Sequence, residues 1–340
     1  MVKKEVIFKR KNIIITGGAG FIGSHLSEKL IADNNIICID NFITSDSDNI
    51  KHLLRNPNFA FINHDINEPL DLEKIPEISK FQISLAGIQE IYHLACPTSP
   101  KQFEKYKVQT AVTNSIGTRN ALDLAVKYQA KFLHASSSVI YGGSEEGGYT
   151  RNEKDVGCVE TTGPRSCYDE GKRFAETLVS TYGEHYKLDY KIARIFRTFG
   201  PRMRLNDGQM IPDFITNALD NKDLVIYGDE NFTSSFCYIS DIIEGIISLM
   251  ESSVTQPVNL GSAENYLVSD IAKQIIDMVQ SESVVKFENP LLFMRPLCLP
   301  DISFAKEQLG WFPIVTINEG LKRTIEYAIA EKGLVKFKTE

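Results

Sequence analysis

The chain has 340 residues, 43% of them hydrophobic and 24% charged, with a formal net charge of -7. The length predicts a main domain with a smaller attached partner, and the ordinary composition excludes collagen-like, low-complexity and disordered classes. Lys and Arg are spread along an acidic chain rather than gathered in blocks, which excludes nucleic acid as a general partner.

The basic start, Met1 to Lys11, lacks the apolar run of a signal peptide, and no later segment is long enough to span a bilayer. A cytoplasmic location and no membrane partner are expected. Short apolar runs then alternate with longer amphipathic ones: Asn12–Thr16, Phe21–Ala32, Asn35–Asp40, Phe59–Asn63 and Glu90–Leu94. From Val112 to Ala125 the spacing Val112, Ile116, Ala121, Leu122, Leu124, Ala125 predicts a helix with one apolar stripe. Lys131–Ser136 reads as another strand and Tyr168–Tyr186 as a long helix. This alternation predicts an α/β fold, a doubly wound parallel sheet with helices on both faces, because parallel strands need helical crossovers.

After Gly200-Pro201 the rhythm breaks into Ile211–Leu219, Leu224–Tyr227 and the helical Asp241–Glu251, which predicts a smaller, mixed α/β domain. The runs Lys191–Arg197 and Phe236–Leu249 look like elements returning to the main sheet. Six cysteines, Cys38, Cys96, Cys158, Cys167, Cys237 and Cys298, form no Cys-x-x-Cys pair, so reduced thiols and no metal site are expected. Met203 and Met210 read as packing.

The first strand runs directly into Gly17-Gly18-Ala19-Gly20-Phe21-Ile22-Gly23 and a helix, the context that gives Gly18-x-Gly20-x-x-Gly23 its meaning. A dinucleotide pyrophosphate needs a tight turn, close approach of backbone N–H groups and a helix N-terminus facing the anion. Asp40 ends the second strand about 20 residues on, where a carboxylate accepts hydrogen bonds from the adenosine ribose and repels a 2′-phosphate. The cofactor is therefore expected to be NAD rather than NADP. The expected contact set is Gly17, Gly18, Gly20, Phe21, Ile22, Gly23, Asp40, Asn41, Asp65, Ile66, Leu94 and Ala95, with Tyr168 and Lys172. Asp65 reads either as facing the adenine or as an exposed turn aspartate.

Tyr168 and Lys172 stand at i and i+4, on one helix face, where an ammonium beside a phenol favours the phenolate and lowers a pKa of about 10 toward that of a general base. Alone, the spacing equally describes a surface Tyr–Lys pair. With Ser136-Ser137-Ser138-x-x-Tyr141-Gly142 upstream, the set resembles the Ser/Thr–Tyr–Lys constellation of the extended short-chain dehydrogenases/reductases. Further motifs narrow the resemblance: Ile14 to His25, Tyr92-His93-Leu94-Ala95, Gly163-Pro164-Arg165-Ser166-Cys167-Tyr168 through Arg173, Phe199-Gly200-Pro201-Arg202-Met203 and Asn206-Asp207-Gly208. From about residue 12 to Leu309-Gly310-Trp311 the chain looks like the UDP-glucuronate decarboxylases.

The resemblance implies an NAD-binding Rossmann domain over 1–200 with returning elements from about 236–250. It also implies a domain for a nucleotide-diphosphate sugar over 201–340, and a homodimer. It implies that Tyr168 takes the proton of the sugar 4-hydroxyl, that Lys172 assists it, and that Ser137 hydrogen-bonds the reacting oxygen of a 4-keto intermediate. The substrate contacts it suggests are Ser138, Val139, Arg197, Arg202, Ser234 and Arg295.

Four departures bear on the reaction. The family's Ser/Thr-Ser-Glu is Ser137-Ser138-Val139 here, and its Arg-Lys/Arg-Pro-Asp-Ile is Cys298-Leu299-Pro300-Asp301-Ile302. Valine and cysteine cannot pair with a sugar carboxylate, although Arg295 could substitute if its loop is rearranged. Thr233-Ser234-Ser235-Phe236 lacks a family arginine, whereas Arg197 replaces a family asparagine, an exchange that keeps the diphosphate neutralised. The bland alternative pairs Arg197 with a nearby carboxylate. Overall similarity thus favours decarboxylation and pocket chemistry a 4-epimerase or 4-oxidase. A 4,6-dehydratase would need an Asp-Glu pair that Ser138-Val139 does not supply, and retention of Ser137, Tyr168 and Lys172 argues against an NAD-binding pseudo-enzyme.

Overall fold

The computed structural model describes residues 10–98, 103–143, 149–205, 207–290 and 297–339. In chain order come β1 (Asn12–Thr16), α1 (Phe21–Leu30), β2 (Asn35–Asp40), β3 (Phe59–Asn63), α2 (Ile83–Ala86), β4 (Glu90–His93), α3 (Phe103–Val112), α4 (Thr118–Tyr128) and β5 (Lys131–Ser137). They are followed by β6 (Thr150–Arg151), α5 (Ser166–Tyr186), β7 (Tyr190–Ile195), β8 (Thr198–Phe199), α6 (Met210–Leu219), β9 (Leu224–Tyr227), β10 (Thr233–Ser234) and β11 (Cys237–Tyr238). The last are α7 (Ile239–Glu251), β12 (Val258–Leu260), β13 (Tyr266–Leu267), α8 (Val268–Val279), β14 (Val285–Glu288), β15 (Leu299–Pro300), α9 (Ser303–Leu309) and α10 (Ile317–Thr339).

Seven strands form one sheet in the order β12-β7-β5-β4-β1-β2-β3, and the β1–β2, β2–β3, β1–β4, β4–β5 and β7–β12 registers are all parallel. All five residues of β1 are buried, which explains why its centre is three consecutive isoleucines, Ile13 to Ile15, rather than an apolar–polar alternation. A strand covered on both faces has no solvent side to alternate toward. The strand order reverses between β1 and β4, the point where open α/β sheets leave a crevice beyond their carboxyl ends. This is a Rossmann sheet. Among the described residues no helix is long and apolar enough to cross a membrane.

The chain forms two compact units. The first comprises Met1–Cys96, Val112–His134 and Thr177–Tyr190, and contains β1 to β4 with the glycine loop. The second comprises Pro97–Ala111, Ala135–Glu176 and Lys191–Glu340, and contains Ser137, Tyr168 and Lys172. In the second unit β12 pairs β7, while the 236–249 stretch supplies β11, laddered with β8, and α7. Two further parallel ladders, β9–β14 and β6–β15, and the antiparallel β10–β13 complete it.

One expectation fails inside the predicted Val112–Ala125 helix. A π-turn at Thr113–Gly117 precedes α4, and Ile116 is 42% exposed rather than part of the apolar stripe. A wider turn shifts the phase of everything before it, so the stripe begins at Ala121, Leu122, Leu124 and Ala125, all buried.

Candidate active site

The glycine loop is shaped by its backbone. Gly17 has φ +69°, and a side chain there would meet the Ala95 backbone N at 2.8 Å. At Gly23 it would meet the Gly17 carbonyl oxygen at 2.3 Å, so α1 can close on the loop only without a Cβ. Gly20 differs: a Cβ there would touch only the Gly17 oxygen at 3.1 Å, leaving open space on its other sides. No side chain caps α1, and its first turn carries no acidic residue. Room beside Gly20 and an uncapped helix start headed by Phe21 and Ile22 fit a pyrophosphate. Leu94 and Ala95 continue β4 beside this loop, their amides donating to the Thr16 carbonyl (3.1 Å) and hydroxyl (3.4 Å).

Asp40 is buried and already engaged. Its carboxylate accepts from the Ala19 amide (3.0 Å), the Phe42 amide (2.9 Å) and the Ser45 hydroxyl (2.7 Å). It therefore braces the glycine loop against the end of β2, with one of about four lone-pair sites left for a ribose hydroxyl. Asn41 and Asp65 each close an Asx turn, accepting from the Ile43 amide (3.1 Å) and the Asn67 amide (2.9 Å). Ile66 is buried and its carbonyl accepts from Asn120 Nδ2 (2.8 Å).

In the second unit, Ser137 ends β5 and caps the short 3-10 turn Ser138–Tyr141, its hydroxyl accepting from the Val139 amide at 3.4 Å. Tyr168 and Lys172 lie on α5, both buried at 8% and 3% exposure, which sets aside the surface-pair reading of their spacing. Lys172 Nζ donates to the Ala135 carbonyl at 2.7 Å, two residues before Ser137. One helix turn carries Tyr168 and Lys172, and the lysine is bonded to the strand that presents Ser137. Near the start of α5, Arg165 pairs with Asp169 at 3.2 Å.

The substrate candidates separate into distinct settings. Half-buried Arg197 has no carboxylate partner among the described residues; its Nη1 donates to Met210 Sδ at 3.4 Å and its guanidinium lies 5.8 Å from the Phe236 ring centroid. Burial and the like charge of Arg165 hold its pKa down to about 10. The bland carboxylate pairing is thus absent, and Met210, expected as packing, is a sulfur contact. Ser234 is buried on β10, its hydroxyl donating to the Ser235 carbonyl at 3.4 Å. Arg202 adopts φ +67° just after Gly200-Pro201. Ser138 and Val139 are buried, at 2% and 4% exposure. Arg295 lies outside the described residues.

Cys298 packs with Ile140, Tyr141 and Phe196, and burial pushes its thiol up to about 11 against the opposing pull of Arg151. Arg151 itself stacks on Tyr149, 4.6 Å from its centroid, and donates to that phenol at 3.1 Å. Its Nε is buried with no hydrogen-bond partner among the described residues. No motif marks Arg151; it reaches Cys298 only because β6 pairs β15 some 150 residues later in the chain. Glu176, four residues after Lys172, lies on the same face of α5, a position that helical spacing marks and no motif does. Among the described residues the six cysteines form no disulfide, and no cluster of potential metal ligands occurs.

The sequence profile of the GDP-mannose 4,6 dehydratase family matches residues 14–324. UDP-glucuronic acid decarboxylase 1 of Danio rerio is 42% identical over 319 residues, spanning 94% of this chain and 72% of the relative. Among solved structures, UDP-glucuronic acid 4-epimerase from Bacillus cereus in complex with NAD superposes with TM-score 0.76 at 30% identity, covering 93% of this chain and 96% of that one. UDP-glucose 4-epimerase from Thermotoga maritima with UDP-glucose gives TM-score 0.82 at 26% identity, covering 94% and 99%.

Proposed function

Because the chain belongs to the GDP-mannose 4,6 dehydratase family of short-chain dehydrogenase-type enzymes, we propose that it oxidises C4 of a UDP-linked sugar with NAD bound at the glycine loop. The observation that carries the reading is the 2.7 Å bond from Lys172 to the Ala135 carbonyl, which ties the Tyr168 helix face to the strand end bearing Ser137. Tyr168 takes the proton of the sugar 4-hydroxyl. Lys172, held next to it on the helix, stabilises the phenolate, and Ser137 donates to the oxygen that becomes the ketone. When bound, NAD supplies the hydride acceptor and later returns the hydride to the sugar. A cytoplasmic homodimer is the expected assembly.

The C6 end of the sugar decides the outcome. Val139 offers no polar atom, and Cys298 stays an uncharged thiol at neutral pH. An unpaired carboxylate beside them would cost several kcal/mol to bury. We therefore assign a substrate with a neutral C6 group, so that the cycle ends either in 4-epimerisation, with the hydride returned to the sugar, or in release of the 4-ketone, with the hydride leaving as NADH. Decarboxylation is the second reading, favoured by the Arg151 guanidinium beside Cys298 and by the 42% identical relative.

Purified protein incubated separately with UDP-glucose and UDP-glucuronate separates the two: the first reading expects 4-epimer or 4-ketone from UDP-glucose and slow carbon dioxide release from UDP-glucuronate. Efficient decarboxylation would overturn it, and loss of that activity in Arg151→Met would identify the replacement cation. Val139→Glu alone is not expected to create good decarboxylation, since Cys298 still supplies no positive charge.

Asp40→Ala is expected to weaken NAD by about 10-fold or more, the range of a lost hydrogen bond to a charged group, and far more than a substitution elsewhere on β2 such as Asn35→Ala. Calorimetric titration measures both. NADP binding as tightly as NAD to the unaltered protein would remove the ribose role of Asp40 and leave only its brace on Ala19.

A further inference from the structure

We infer that Glu176, acting through Ser136, is a positioning residue that fixes where Lys172 sits. The inference rests on the Tyr168–Lys172 reading above. Lys172 takes its geometry from the Ala135 carbonyl, and the next residue, Ser136, is anchored independently: its hydroxyl donates to Glu176 Oε1 at 2.5 Å. Glu176 lies one helix turn beyond Lys172. Two consecutive turns of α5 therefore grip two consecutive residues of β5, one through a carbonyl and one through a hydroxyl. The peptide between Ala135 and Ser136 cannot rotate without breaking one grip.

The carboxylate making the second grip is itself fixed. Arg194 of β7 binds it through Nε (3.0 and 3.3 Å) and Nη2 (2.8 Å). The Arg194 Nη1 donates to the Tyr141 hydroxyl at 2.9 Å, and that hydroxyl donates to Asn259 Oδ1 of β12 at 2.8 Å. Ser136 and Tyr141 are buried, at 3% and 1% exposure, so these bonds face no competition from bulk water. Tyr141 closes the turn that Ser137 caps. The chain of bonds thus reaches the Ser137 turn from one end and, from the other, Ser136, whose neighbour Ala135 offers the carbonyl that Lys172 Nζ binds, while touching neither reacting atom.

The alternative is that Glu176 and Arg194 form only a folding ion pair. Ser136→Ala distinguishes the two, because it cuts the grip on β5 and leaves the ion pair whole. With UDP-glucose and UDP-glucuronate both assayed, Ser136→Ala is expected to lower kcat ~10-fold to ~100-fold, the scale of a small misplacement of a catalytic group, with KM and NAD affinity nearly unchanged. Ser136→Thr, which keeps the hydroxyl, should restore most of kcat. In a Lys172→Met background Ser136→Ala should cost nothing further, since its effect passes through Lys172.

Unchanged kcat in Ser136→Ala, or penalties that simply add in the double variant, would overturn the inference while leaving the catalytic reading intact. A Lys172→Met enzyme with full activity would instead remove the catalytic reading itself, and this inference with it. If Ser136→Ala does not fold, Glu176→Gln, which keeps an acceptor for Ser136, is the second variant: it should retain more kcat than Glu176→Ala at equal melting temperature, and equal kcat in the two overturns the inference.

Discussion

Tyr168→Phe is expected to lower turnover by about 1,000-fold or more, within the range that a general base contributes. One hydroxyl is removed from a buried position near the start of α5, so the fold and NAD affinity should survive almost unchanged. Melting temperature and NAD titration establish that survival, and the rise of nicotinamide absorbance on adding UDP-sugar measures the loss. Substantial retained turnover would take the base role away from Tyr168. Lys172→Ala should also be severe, but in a different way: its residual activity should rise with pH, as the phenol ionises without help. Tyr168→Phe, having no proton to lose, should show no such rise.

Replacing Arg197 with methionine should separate binding from stability. The guanidinium has a folded-state pKa held down to about 10, below the usual arginine range, first by burial and then by Arg165. A cation whose folded pKa is depressed is charged at a cost to the fold everywhere below that pKa, and the cost fades only as pH rises through about 10. At neutral pH Arg197→Met removes this cost, so the ligand-free protein should melt at the same temperature or higher. A diphosphate would supply the missing counter-charge, so the same variant should raise KM for the UDP-sugar by about 30-fold, or ~2 kcal/mol, the lower end for one member of a buried charge pair. A fall in melting temperature with KM unchanged would show that Arg197 serves the fold and not the substrate.

Strands buried on both faces were the easiest elements to read. β1 and β2 coincide with the apolar runs because nearly every residue there answers to the same demand, and β3 and β9 coincide because their runs are short and bounded by turns. The glycine loop was legible for a related reason, since backbone sterics at Gly17 and Gly23 admit no other residue. The Val112–Ala125 pattern misled because a π-turn changes the angular spacing while leaving the residue types helical. β12, the outer strand of the sheet, has only three residues, too few for any periodicity.

At the site, Tyr168 and Lys172 are singled out by their spacing on one helix only together with the upstream serines and the family resemblance. Arg151 is not, because its position beside Cys298 depends on a ladder between distant segments. Arg197 stood out by its departure from the family pattern, yet only the structure shows that no carboxylate among the described residues pairs with it, which makes it informative. Glu176 had a usable helical signal, but its link to Ser136 requires knowing how β5 lies along α5.

The β6–β15 ladder also sets a timetable for synthesis. Thr150 pairs with Leu299 and Arg151 with Pro300, and Asn259 Nδ2 donates both to the Arg151 carbonyl (3.0 Å) and to the Asp301 carbonyl (3.2 Å). These bonds cannot form until residues 299–301 have been synthesised, whereas β1 to β4 and their short connections are available early. Closing a loop of that length is slow, so a nascent chain carries the Thr150 segment unpaired and open to proteases while roughly the next 150 residues are made. Mutations that weaken the β15 segment would then reduce yield from cells before they altered any property of the finished protein.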